Sequence, residues 1–257
     1  MKMLITGAYG LLGTEISKLY PEALKPKHEE LDITDSIQVD KYIEENSPDV
    51  VIHLAAAVSP PRCELNKSWA WRTNVDGTRY LVEACLKFTP DVYFIYMSTP
   101  CEFNGDSDRA NYEYDDSNPD NYYGFTKAIG RMVVEYSVPK HLIIRGNFVG
   151  YKKWPYPKAF IDRKSNYLFA HQIAKGMKEA IDLEMKGVIH IVGEEEMTMF
   201  ELAKLCPDSE NIEPYLLEEY YKENPNSCRL TKNMILGVTR WKTYNIEEGL
   251  YEDRNNR

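Results

Sequence analysis

Apolar positions along the chain fall into short continuous runs separated by longer amphipathic stretches. Met3-Leu-Ile5, Val50-Val-Ile-His-Leu54, Val92-Tyr-Phe-Ile-Tyr-Met97, His141-Leu-Ile-Ile-Arg145 and Val188-Ile-His-Ile191 read as strands. Their continuity, rather than strict alternation, predicts strands buried on both faces. Between them Leu11–Tyr20, Asp35–Glu45, Ser68–Phe88, Tyr122–Tyr136 and Tyr167–Leu183 carry helical spacing, the second stopped before Pro48. A poor further strand is expected around Ala23–Pro26. This alternation predicts an α/β fold, a doubly wound parallel sheet covered by helices, with ligands at the carboxyl ends of the strands. From about Gly150 the regularity weakens, broken by Pro155, Pro157, Pro207, Pro214 and Pro225. Residues 1–150 are read as the nucleotide-binding unit, and 151–257 as an interleaved segment that completes the sheet and builds a small substrate lobe.

Composition adds exclusions. The 257 residues suffice for one such domain with a full core. A hydrophobic fraction of 43% and a charged fraction of 28% suit a soluble globular chain, with only Glu252–Arg257 reading as a disordered tail. A net charge of -9 argues against nucleic-acid binding but leaves room for a small phosphorylated ligand. The five cysteines, Cys63, Cys85, Cys101, Cys206 and Cys228, show no C-x-x-C spacing, so no metal site is expected. Their odd number and the absence of a secretory pattern predict reduced thiols in a cytoplasmic protein. No run reaches the ~18 apolar residues of a membrane span.

The first strand runs into Gly7-Ala-Tyr-Gly-Leu-Leu-Gly13, and a helix follows. Such a turn lets a pyrophosphate approach backbone N–H groups at a helix N-terminus, and its last glycine permits close helix–strand packing. Gly7, Tyr9, Gly10, Leu11, Leu12 and Gly13 are therefore candidate cofactor residues, although the spacing is G-x-x-G-x-x-G rather than G-x-G-x-x-G. Lys27 and His28 follow the poor second strand, where an acid would otherwise meet a free ribose. They suit a 2′-phosphate, and a solvated loop equally well. Asp32 and Ile33 are placed around the adenine, with helix capping the alternative for Asp32.

Tyr123 and Lys127 stand four residues apart on a predicted helix and share one face. A free tyrosine titrates near ~10. A neighbouring ammonium favours the phenolate, which is expected to lower that value and suit Tyr123 to proton transfer. Thr99 and Ser98 end a strand where chemistry occurs, and either hydroxyl is placed to bond a reacting oxygen.

Together these segments resemble the extended short-chain dehydrogenases/reductases, and within them the dTDP-4-dehydrorhamnose reductases. The matching residues are Met3 to Gly13, Leu31 to Asp35, Pro48 to Ala56, Asn74 to Gly77, Met97 to Thr99 and Tyr123 to Lys127, with looser similarity after residue 150. The resemblance implies a Rossmann fold and a catalytic triad of Thr99, Tyr123 and Lys127. Leu54, Ala55 and Ala56 would line the cofactor, Asn74 would support the active-site helix beside it, and Arg145 would open the loop toward the nicotinamide end. It further implies a nucleotide-linked 4-keto-6-deoxysugar as substrate. The cofactor is expected to be NADP(H) by preference, NAD(H) the alternative. The helices at 68–88 and 120–136 would offer a homodimer surface, though their spacing equally fits core packing.

There are departures. Those reductases usually read Ser-Thr-Asp-Tyr-Val-Phe where this chain has Ser98-Thr-Pro-Cys-Glu-Phe103, which alters the substrate side. The span between Arg145 and the Tyr167 helix is short, so the usual lobe helix is expected to be shrunken or missing. Cys101 is similar in place to the cysteine that serves C3/C5 epimerisation in GDP-fucose synthases and plant rhamnose synthases. It would face the sugar with Thr99 if that segment is extended. Arg163 stands where the plant enzymes carry a catalytic lysine, with Lys158 or Lys164 as substitutes. A bifunctional 3,5-epimerase/4-reductase is thus one alternative. A non-catalytic NADP-binding protein like the regulatory subunit of methionine adenosyltransferase is another.

Overall fold

The computed structural model describes residues 1–254. Its central sheet has five parallel strands, β1 (Met3–Thr6), β2 (Val50–His53), β3 (Tyr93–Ser98), β4 (His141–Arg145) and β5 (Gly187–His190), hydrogen-bonded in that order. Helices α1 (Leu11–Leu19), α2 (Ser36–Asn46), α3 (Gly77–Phe88), α4 (Tyr122–Ser137) and α5 (Ala170–Asp182) cover it. Successive strand residues supply opposite cores. Ile5, Ile52, Ile95 and Ile144 pack on one face with Leu12 and Ile16 of α1 and Ile173 and Met177 of α5. Leu4, Val51, Phe94 and Ile143 pack on the other with Val39, Leu81 and Val134 of α2, α3 and α4.

Several expected elements change shape. The helix read over Ser68–Phe88 starts at Lys67 and is interrupted by a wide π turn at Arg72–Asp76 before α3 continues. That turn contains Asn74, whose side chain bonds Ala57 and Thr126, so the helix widens where a buried amide must reach sideways. The helix read from Tyr167 begins at Ala170, because Leu168 and Phe169 pair with Phe148 and Val149. The strand around Ala23–Pro26 reduces to a single bridge of Leu24 on Leu4, since Pro21 and Pro26 leave few N–H groups to donate. The cap of α2 is Asp35, which accepts from Ile37 and Gln38 N–H, whereas Asp32 closes a local turn onto Thr34. The tail expected from Glu252 is helical as far as Arg254, and the remaining three residues lie outside those described.

Between Arg145 and Tyr167 only short strands form, with no helix. Lys158–Phe160 pairs with Glu213–Tyr215, and Lys164–Ser165 with Met197–Thr198. Arg163 lies in the chain between the two strands Lys158–Phe160 and Lys164–Ser165. Among the described residues no helix is long and apolar enough to cross a membrane.

The turn after β1 leaves no room at Gly13, where an added Cβ would sit 2.1 Å from the Gly7 carbonyl oxygen and 2.8 Å from Ala8 backbone. Gly13→Ala should therefore push α1 away from β1 and cost on the order of 1–3 kcal/mol. Chemical denaturation checks this, with an unchanged midpoint contradicting the packing argument.

Candidate functional site

A cleft of about 830 Å³ runs across the carboxyl ends of β1 to β4. At one end lie Gly7, Tyr9, Gly10, Leu11, Leu12 and Gly13. Gly10 caps α1 without any side-chain hydrogen bond, so the first N–H groups of the helix open into the cleft. A bare helix N-terminus behind a glycine turn fits a dinucleotide's pyrophosphate. Leu54, Ala55 and Ala56 line the wall beside β2, and His28, Asp32 and Ile33 border the far edge. Lys27 does not line the cleft; its backbone N–H donates to Glu30. Asn74 is likewise set behind the wall, fully buried, where it ties Ala57 to Thr126 of α4. Its role here is support, with no direct access to a ligand.

At the other end the cleft is lined by Thr99, Cys101, Tyr123 and Lys127. Helix α4 brings the last two there because its start is doubly anchored. Asn121 caps it by accepting from the Gly124 N–H at 2.9 Å, and Glu64 accepts from the Tyr122 N–H at 3.1 Å. Gly124 then presses on the strand end, since a Cβ there would meet the Cys101 carbonyl oxygen at 2.0 Å. The approach sets Tyr123 near Thr99 on the same wall of the cleft.

Two expectations about this end are corrected. The segment after Thr99 is not extended. Pro100–Glu102 forms a 3-10 turn capped by Thr99, whose hydroxyl accepts from the Cys101 N–H at 3.2 Å. Cys101 reaches the cleft by that turn and not by strand alternation. Nor does Lys127 pull Tyr123 toward phenolate. Burial raises the Tyr123 pKa, the neighbouring Cys101 adds to the rise, and Thr99 opposes it. Lys127 is itself buried and pushed down to about 7, so at neutral pH it offers only part of a positive charge. Its ammonium sits 4.0 Å over the Tyr96 ring.

Beneath this end lies a charged cluster that no motif announced. Glu102 is wholly buried and accepts from Ser117, Arg131 and Arg145 at 2.8, 2.9 and 3.0 Å, and from Ser98. Burial alone would raise its pKa, but the Arg145 and Arg131 guanidiniums outweigh burial and hold it low. Arg145 is therefore buried in an ion pair and is itself absent from the cleft lining, while the loop that it opens, Gly146 to Phe148, lines the cleft. His53 is another unheralded group. It bridges Thr6 and Thr78 behind the cleft and burial pushes it down to about 3, so it stays neutral. A carboxylate within a rigid strand-end turn, with an arginine four residues beyond Lys127, was the sequence signal for the cluster.

Arg163 lines the cleft opposite Cys101, held by the Thr231 carbonyl at 3.0 Å. Lys158 pairs with Glu223, and neither it nor Lys164 lines the cleft. The epimerase alternative thus has a thiol in place but no lysine from that segment to answer it.

Fold and site together define the extended short-chain dehydrogenase/reductase class. The model of the RmlD substrate binding domain family matches residues 1–166, and the chain belongs to that family. A dTDP-4-dehydrorhamnose reductase of Aggregatibacter actinomycetemcomitans is 35% identical over 56% of this chain, and that match spans 50% of the reductase's length. The methionine adenosyltransferase 2 subunit beta of Bos taurus is 26% identical over 95% of this chain and 83% of its own. The crystal structure of a dTDP-4-dehydrorhamnose reductase ortholog from Clostridium acetobutylicum superposes with a TM-score of 0.88 at 26% identity, covering 100% of each chain.

Burying Lys127 sets a pH signature in the protein without cofactor. Its folded pKa lies below the unfolded one, so the unfolded chain binds the extra proton. The resulting destabilisation is complete below pH about 7 and fades toward the ordinary lysine pKa. Lys127→Met should thus raise the thermal midpoint at pH 6, and by less at pH 9. A gain independent of pH would contradict the burial of a charge.

Proposed function

We propose that this chain reduces a nucleotide-linked 4-keto-6-deoxysugar with a nicotinamide dinucleotide, NADP(H) by preference. The observation that carries the reading is one cleft lined at one end by an uncapped helix N-terminus behind a glycine turn and at the other by Thr99, Tyr123 and Lys127. A bound nicotinamide supplies the hydride. Tyr123 remains a protonated phenol because burial raises its pKa, which is the form a proton donor needs before the carbonyl oxygen gains charge. Thr99 lines the same wall as that phenol, so it orients the oxygen that Tyr123 protonates. Lys127 meets the developing phenolate with its ammonium and holds the nicotinamide ribose. The similarity to dTDP-4-dehydrorhamnose reductases supports the sugar class. The altered strand end, Pro100-Cys-Glu102, together with Arg163, shapes the substrate side of this particular chain.

A second reading is favoured by one observation. The sequence likeness to the methionine adenosyltransferase beta subunit extends over 95% of the chain, against 56% for the Aggregatibacter reductase, while the Clostridium reductase ortholog covers the whole chain in structure at the same 26% identity. It supports a dinucleotide-binding subunit of a larger synthetase. Co-purification with a synthetase and no cofactor oxidation by any keto-sugar nucleotide would favour it.

Tyr123→Phe should lower kcat by roughly 10²–10⁴-fold, the usual contribution of a positioned acid, and leave cofactor affinity unchanged. Stopped-flow turnover and fluorescence titration separate the two. Near-parental turnover of the variant would remove Tyr123 from the acid's role.

NADPH should bind more tightly than NADH, because His28 borders the adenosine edge where no carboxylate other than Asp32 lines the cleft. His28→Ala should narrow the difference by up to about 1.5–3 kcal/mol, the range for a charged hydrogen bond. Paired titrations decide it, and equal or tighter NADH binding by the parent defeats the preference.

A further inference from the structure

The reductase reading uses Lys127 as an ammonium, yet the structure buries that side chain, leaving it 5% exposed, and among the described residues gives it no ion pair. Its surroundings are mostly neutral. His53 faces it from β2 as an uncharged ring, Tyr96 from β3 lies under the ammonium, and Tyr123 stands one turn earlier on α4. What opposes the cost of burial is Glu102, the carboxylate whose field reaches Lys127. The same field reaches Tyr96 and Tyr123.

Glu102 is fixed mechanically as well. Its oxygens hold Ser98 at the end of β3, Ser117 of the following loop, Arg145 at the end of β4, and Arg131, one helical turn beyond Lys127. Its backbone carbonyl accepts from the Asn118 N–H at 2.9 Å. Arg131 in turn pairs with Glu135, so the second arginine charge has its own partner on α4.

We propose that Glu102 is a positioning residue for the reaction: from beneath the strand end it sets a buried negative charge behind Lys127 and, through Arg131, holds the helix that presents Tyr123 and Lys127 to the cleft. The proposal deepens the reductase reading and rests on it for its catalytic meaning, but its physical content belongs to the protein alone. A carboxylate close to a buried amine stabilises the charged amine, and an isosteric amide does not. Glu102→Gln keeps the size and most hydrogen bonds of the side chain and removes the charge.

The test is a pH titration of the ¹³Cε resonance of Lys127 in lysine-labelled protein without cofactor, assigned by its loss in Lys127→Arg. Neither cofactor nor substrate is needed, so failure of the reductase reading leaves this result standing. The parent midpoint is expected near the value of about 7 set by burial. In Glu102→Gln it should fall by on the order of one unit. In Glu102→Asp, which retains the charge, it should return toward the parent. A merely structural role would loosen the fold, hydrate Lys127 and leave the midpoint unmoved or raised, never lowered. Should Glu102→Gln fail to fold, Glu102→Gln with Arg131→Gln is compared with Arg131→Gln alone, against which it should show the fall, because losing the arginine charge by itself raises the midpoint. An unmoved midpoint in either comparison overturns the proposal, and so does loss of folding in both Glu102 variants, which would make Glu102 an anchor only.

Discussion

The site depends on one buried carboxylate with two arginines. Glu102 sits where β3, α4, β4 and the loop from Asn104 to Asn118 meet, and each of them donates to it or is tied through it. Arg145 extends the node, donating from its other nitrogen to the Glu113 carbonyl at 3.2 Å. The Glu113 carboxylate then accepts from Thr239 and Arg240, near the C-terminal end of the chain. His190 at the end of β5 lies against Arg145 and donates its Nδ1–H to the Gly237 carbonyl at 2.7 Å, with burial pushing its pKa down to about 4. Removing charged groups from water is expensive, and attraction repays it only when the remaining polar atoms are also satisfied. Here the carboxylate is satisfied from four directions, and the same bonds hold the strand ends and the catalytic helix in one geometry.

This arrangement resolves a conflict within the cleft. Excluding water suits a reaction in which a phenol must hold its proton until the carbonyl oxygen gains charge, because burial keeps Tyr123 protonated. The same exclusion penalises the ammonium of Lys127. A carboxylate in direct contact with Lys127 would neutralise it and occupy the face turned toward the ligand. A carboxylate one layer beneath, shared with two arginines, leaves that face free while its field still reaches the lysine. The Tyr96 ring serves the same end by offering its π face to the ammonium.

Much of this was legible in the sequence. The strands were, because parallel strands buried on both faces are continuous apolar runs, and the glycine turn and the Tyr123–Lys127 pair follow from spacing alone. The local shape of the site was not. Periodicity cannot distinguish an α-helix from one that widens at Arg72–Asp76, because both bury the same face. The 3-10 turn at Pro100–Glu102 was hidden because residues two apart share a side in an extended segment, and only the Thr99 cap shows that the segment curls. Lys27 and His28 are neighbours in sequence, but only His28 reaches the cleft. The direction of the Tyr123 shift was misjudged because a pairwise view sees the nearby ammonium, and burial outweighs it.

The two ends of the cleft are encoded differently, which bears on how specificity arises. The candidate dinucleotide and proton-transfer residues lie between Gly7 and Lys127, all inside the stretch matched by the family model. The wall facing Cys101 is built from Arg163, Met199 and Met234, the last two beyond that stretch. Arg163 is held by the Thr231 carbonyl, and Met199 opens a short helix, Met199–Leu205, capped by Thr198. The cleft accordingly joins an end locked by a buried charge node to an end lined by residues of the C-terminal segment.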